Sequence, residues 1–177
     1  MEKKPVKKKR ILFFSTFITS FIKHDIGILK DFAEVKCLIN SGPKAIFQIF
    51  WDIFFSDMVF CWFASVYSGI AVFLAKFFKK QSIVVIAGVD VAAQKEIGYG
   101  IWLSAWRRPF VGYAIRNADT VLVVDPSLKE KAIKLAGYRG ENITYLPFGF
   151  DASFFLAGKT KEKMVLTVAS SSNEIRL

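Results

Sequence analysis

Few residues in this chain have types and spacings that could do chemistry. Asp90 stands two positions after the apolar run "SIVVIAG" (82–88). Open parallel sheets bind their ligands just past the C-terminal ends of their strands, and a carboxylate there can accept a hydrogen bond from a ligand hydroxyl. The same position also suits a carboxylate that caps the next segment or faces water. Gly88, beside it, allows a close backbone approach. Lys23, His24 and Asp25 fall near the start of an amphipathic segment, where free amides and a helix dipole favour an anion such as phosphate. For His24 a plain exposed helical position is the other reading. The hydroxyls of Thr16 and Ser20 flank the turn before that segment. Tyr99 and Gly100, in "EIGYG", sit in an irregular stretch that either faces a ligand or packs as a loop.

Other chemistries are excluded by what is missing. His24 is the only histidine, and Cys37 and Cys61 are far apart with no C-x-x-C spacing, so no metal site is expected. Both cysteines lie in apolar runs and read as buried thiols of a reducing cytosol. The basic start passes straight into "ILFFSTFITSF" without a convincing cleavage site, so a cytoplasmic protein is expected.

The net charge is +10, and "MEKKPVKKKR" holds six of the 25 basic residues. Such a run is either a solvated tail (1–10) or a device attracted to an anionic surface, the inner face of a membrane being the simplest. In "IWLSAWRRPFVGYAIR", Trp102 and Trp106 fall one helical turn apart beside Arg107 and Arg108. These four residues suit peripheral membrane contact, with rings at headgroup depth, or else a core-facing pair with a solvated basic flank. Nucleic-acid binding would rest on charge alone, with no recognition motif beside it, and is not expected.

The elements that must position these residues alternate. Apolar runs at 11–16, 34–40, 58–64, 82–88 and 120–125, and "NITYLP", read as strands. Segments near 20–32, 44–55, 66–79, 101–117 and 126–135 read as helices, with Ser20 as one N-cap and Asp125-Pro126 as another. Strands joined by helices of this length imply βαβ units: an α/β, Rossmann-like, doubly wound parallel sheet. Residues 58–75 carry no charge and reach the length of a membrane span, but Ser65, Tyr67, Ser68 and Gly69 interrupt them where a strand-to-helix turn would fall.

Three stretches in order resemble one family. "SDMVFCWFASVYSGIAVFLAKFFKKQSIVVIAGVDV", "NADTVLVVDPSLKEK" and "NITYLPFGFDASFF" are similar to the acceptor-side half and hinge of retaining nucleotide-sugar glycosyltransferases of the GT-B type, family 4 or group 1. The resemblance implies one half of a two-domain fold at 11–148, a hinge at 149–162 and the first strand of a donor-binding domain at 163–177. It also implies transfer of a hexose such as mannose or glucose from a nucleotide-sugar co-substrate, with no tightly bound cofactor. The sugar goes to a hydroxyl acceptor, lipid-linked or polysaccharide, and the donor phosphate takes the proton. The donor half is expected from another polypeptide or a longer reading frame, and the chain is expected to be inactive alone.

Two positions depart from the family pattern. The turn after the first strand, "STFITS", has no glycine, which leaves Thr16, Ser20 and Lys23 to meet phosphates. Ala87 stands where many members have a histidine, while Gly88 and Asp90 keep the rest of that pattern. A non-catalytic membrane- or partner-binding module with the same shell is therefore the alternative.

Overall fold

The computed structural model describes residues 8–149; the hinge beyond Gly149 and the strand expected at 164–170 lie outside them. Six strands form one parallel sheet: β1 (Arg10–Ser15), β2 (Glu34–Ile39), β3 (Met58–Trp62), β4 (Gln81–Ile86), β5 (Thr120–Val123) and β6 (Ile143–Tyr145). Their order is β2-β1-β3-β4-β5-β6. Five helices connect them: α1 (Ser20–Phe32), α2 (Pro43–Phe55), α3 (Val66–Phe77), α4 (Arg108–Asn117) and α5 (Pro126–Ala136). The chain is thus an α/β domain with a Rossmann-like, doubly wound parallel sheet.

Strand alternation divides the core in two. Leu12 and Phe14 of β1, Val59 and Cys61 of β3, and Val84 and Ile86 of β4 face α2–α5. Ile11 and Phe13, Phe60 and Trp62, and Val85 face the other side, where Ile22 and Ile26 of α1 cover them. Both faces of the central strands are apolar because both are covered, which is why these strands read as continuous apolar runs. The uncharged segment 58–75 is β3, a turn and α3. No helix among the described residues is long and apolar enough to cross a membrane.

Local signals set most boundaries. Asp125 caps α5 by accepting from Ser127 N at 2.8 Å, with Pro126 at the first helical position. The cap of α1 is Thr19, whose hydroxyl accepts from Ile22 N, so Ser20 is the first helical residue and not the cap. The expected helix at 101–117 begins only at Arg108; before it come short 3-10 turns at Val89–Val91, Lys95–Ile97 and Ile101–Leu103. Cys37 is exposed, contrary to expectation, because β2 is an edge strand whose pattern leaves most positions open, whereas Cys61 is buried.

Arg10 belongs to β1, and its guanidinium and backbone N–H both bond the Asp57 carboxylate, at 3.1 Å and 2.9 Å. The pair ties the start of β1 to the turn before β3. The Arg10 hydrogen bonds hold the Asp57 carboxyl down at about 2. A folded value below the unfolded one means that the contribution is present above the ordinary carboxylate range and is lost as pH falls toward about 2. Denaturant titrations of wild type and Asp57→Asn should therefore differ most near neutrality and converge in strong acid; parallel pH profiles would contradict the pairing.

Candidate functional site

The sheet order places β1 and β3 side by side, with their connections leaving in opposite directions, and such switch points open a crevice at the C-terminal edge. A groove of about 580 Å³ lies on the α1 face there. Phe60, Trp62, Val85, Leu122 and Val124 form its floor, Ser20, Phe21, His24 and Asp25 one wall, and residues 146–149 the other. The rings of Trp62 and Phe148 are parallel, with centroids 6.0 Å apart, and Phe21 packs against both.

Polar groups gather along the α1 wall. Trp62 Nε1 donates to Asp25 Oδ2 at 2.9 Å, which fixes the carboxylate beside the aromatic rings. Partial burial raises the Asp25 carboxyl above its ordinary value, and the Trp62 bond only partly opposes this. His24 and Ser20 are exposed along the same wall. Sequence reasoning brought Ser20 and His24 here but missed the aromatic floor, Asp25's partner and Phe148. A tryptophan at the end of a strand facing a helical Asp was the legible part of that signal.

Asp90 belongs to a second cluster at the same edge of the sheet. It is 1% exposed, and its Oδ1 accepts from Gly88 N at 2.8 Å and Ala87 N at 3.2 Å, while Oδ2 accepts from Ala64 N at 3.1 Å. The carboxylate therefore joins the turn after β3 to the turn after β4. Burial pushes it up to about 6, while these amides pull the other way. Trp102 Nε1 donates to the Asp90 carbonyl at 2.8 Å, and Arg108 Nε donates to the Trp102 carbonyl. Trp102 is buried, which corrects its expected place at a membrane interface. Trp106 remains exposed, with the Arg107 guanidinium 5.2 Å above its ring, and Arg108 is also exposed.

Backbone strain concentrates on these turns. Phe63 has φ +68°, a left-handed conformation unusual for a bulky residue, and its ring stacks on Phe17 at 4.9 Å. Gly100, at φ +116°, is required, since a Cβ would collide with the Ala92 carbonyl. Tyr99 is exposed, and its hydroxyl lies over Gly88. Thr16, half-buried, and Lys23, exposed, line neither the groove nor this cluster. Among the described residues, no three His, Cys, Asp or Glu side chains come together as metal ligands would.

The Asp90 geometry makes a testable demand. Asparagine offers one acceptor oxygen, so whichever way it is turned its amide N–H₂ would face a backbone donor. Asp90→Asn should lower unfolding free energy by about 1–3 kcal/mol, the usual effect of leaving a buried donor unpaired. Chemical denaturation reads this directly, and a loss below about 0.5 kcal/mol would be that of a surface position.

Comparison of the sequence with protein-family models and with curated proteins found no match to either. The attribution that stands is to the fold: a Rossmann-like parallel α/β domain whose C-terminal edge carries an aromatic groove and a buried carboxylate tie.

Proposed function

We propose that the chain is the acceptor-side half of a nucleotide-sugar glycosyltransferase, binding the sugar or polysaccharide whose hydroxyl receives a hexose. The observation that carries this reading is the groove at the switch point, where an aromatic floor meets a polar wall. A sugar ring has C–H-rich faces and a hydroxyl rim. Phe21, Trp62 and Phe148 suit the faces, and Ser20, His24 and Asp25 suit the rim.

In the transfer the acceptor oxygen bonds the anomeric carbon as the nucleoside diphosphate leaves, and a departing phosphate oxygen takes the proton. The work of this chain is then orientation: Asp25 accepts from an acceptor hydroxyl, and the strained turns after β3 and β4 shape the edge that meets the donor. Asp90 acts as a positioning residue through the turns it joins. Donor contacts come from residues beyond 149 or from another polypeptide.

One observation favours the alternative of a non-catalytic binding module. The turn after β1 presents Phe17, stacked on Phe63, where the family resemblance implies glycines and phosphate-binding amides. The two readings share the groove and differ in whether it holds a sugar acceptor for transfer or serves partner binding without catalysis.

Amide NMR titration tests the groove. Short gluco- and manno-oligosaccharides should shift resonances of Ser20, His24, Asp25 and residues 146–149, and Asp25→Asn should weaken that binding about tenfold, as loss of a hydrogen bond to a charged group would. Nucleotide sugars alone should leave these resonances unmoved. Silence toward every oligosaccharide would overturn the acceptor-side reading.

A further inference from the structure

Helix α2 is apolar on both sides. Ala45, Ile49 and Ile53 recur every four residues and are buried, which completes its inward stripe. Its outward side carries Phe47, Phe50, Trp51, Phe54 and Phe55, between 42% and 73% exposed. A helix lying on a water-facing layer normally carries polar side chains there. Single exposed apolar residues need no account, but Phe50, Trp51, Phe54 and Phe55 pack on one another as one connected patch. Phe50 and Phe54 both pack on Phe78, just after α3, and Phe77 packs on it as well, with centroids 5.1–5.6 Å apart. Phe73 and Phe77 extend the exposed surface along α3.

The charges around this patch are mainly basic. Lys44 lies on α2 and Lys76 near the end of α3; of the acids nearby, Asp52 is held by Lys36 at 2.6 Å and Asp57 by Arg10 at 3.1 Å, Asp119 accepts from Ser82, and Glu34 lines the same recess as Phe55. Lys79 and Lys80 follow Phe78 directly. Lys9 Nζ donates to Gln81 Oε1 at 3.3 Å, which places Lys9 beside these lysines.

We propose that the outward face of α2 and the end of α3 form a docking surface for an anionic lipid bilayer, the aromatic rings entering the headgroup layer and the lysines at 9, 76, 79 and 80 contacting lipid phosphate. Apolar insertion and a cluster of basic side chains are the two signals that stable peripheral binding requires, and Lys9, Lys76, Lys79 and Lys80 gather beside Phe77 and Phe78. The surface is distinct from the Trp106–Arg107–Arg108 flank. It does not depend on the acceptor-side reading.

The test is binding of the full chain to vesicles of phosphatidylcholine alone and of phosphatidylcholine with about one quarter phosphatidylglycerol, a fraction that gives an anionic surface potential. Binding is expected only with the anionic lipid and should fall as salt rises. Phe47→Ser/Trp51→Ser/Phe55→Ser, and separately Lys76→Gln/Lys79→Gln/Lys80→Gln, should each weaken it about tenfold or more, while circular dichroism shows both variants folded. Brominated acyl chains should quench the tryptophan emission of wild type and of Trp106→Phe, and the quenching should vanish in Trp51→Phe.

Three results would overturn the proposal. One is no binding to anionic vesicles at low salt. Another is binding that only Trp106, Arg107 and Arg108 variants abolish. The third is a concentration-dependent dimer, lost in the aromatic variant, with no vesicle binding, which would make the patch a protein interface.

Discussion

Handedness of the crossover connections governs the layout of this domain. A strand–helix–strand unit in a parallel sheet winds right-handed almost without exception. With the order β2-β1-β3-β4-β5-β6, the chain moves one way once, from β1 to β2, and then the other way at every later step. Helix α1 is left alone on one face, while α2, α3, α4 and α5 share the other. Two surfaces follow from that imbalance. On the α1 side, the C-terminal halves of β3, β4 and β5 lack a covering helix, and the groove lies over them. On the other side the helices form a continuous layer, and its outer surface carries far more aromatic area than a solvated layer requires.

The C-terminal edge depends on a smaller constraint. Parallel strands release their turns together at that edge, and the turns after β3 and β4 need a common anchor. Asp90 supplies it from below through backbone amides of both turns, and Trp102 holds the Asp90 backbone in turn. A buried carboxylate among amide donors can keep Phe63 and Gly88 in unusual conformations because it bonds the turns that contain or adjoin them. Its carboxylate is spent on those turns, which separates it from Asp25, whose carboxylate borders the groove.

Strands were legible in the sequence because burial on both faces makes them unbroken apolar runs, helix α5 because its cap and period agree, and α1 by its period, its cap falling one residue earlier at Thr19. The region 101–107 was not. Its apolar spacing fits a helix, but Trp102 is claimed by the Asp90 carbonyl, and Gly100 just before the region takes a positive φ that starts no helix. A one-dimensional period cannot register a tertiary hydrogen bond. Cys37 failed for a related reason: an edge strand and a central strand of similar composition read alike, and only the sheet order tells them apart. The groove was half visible. Ser20 and His24 could be placed at its wall, whereas the aromatic floor required knowing that Trp62 and Phe148 meet across the β3–β6 span. In α2 the inward stripe of Ala45, Ile49 and Ile53 beside the polar Lys44, Gln48 and Asp52 accounts for the helical period, and the outward aromatics only widen the apolar face.

The two proposed surfaces constrain each other. The groove belongs to the α1 face of the sheet, and the aromatic band to the outside of α2 and α3, on the opposite face. A chain resting on lipid through α2 would therefore turn its groove away from the bilayer, into water. An acceptor still embedded by a lipid tail would have to pass around the sheet edge to reach Trp62 and Asp25. A soluble or polysaccharide acceptor needs no such path, and its sugar faces match rings better than an alkyl chain matches the Ser20–His24–Asp25 wall. Lipid would then act as the support that holds the domain at a surface, and the acceptor would arrive from the aqueous side.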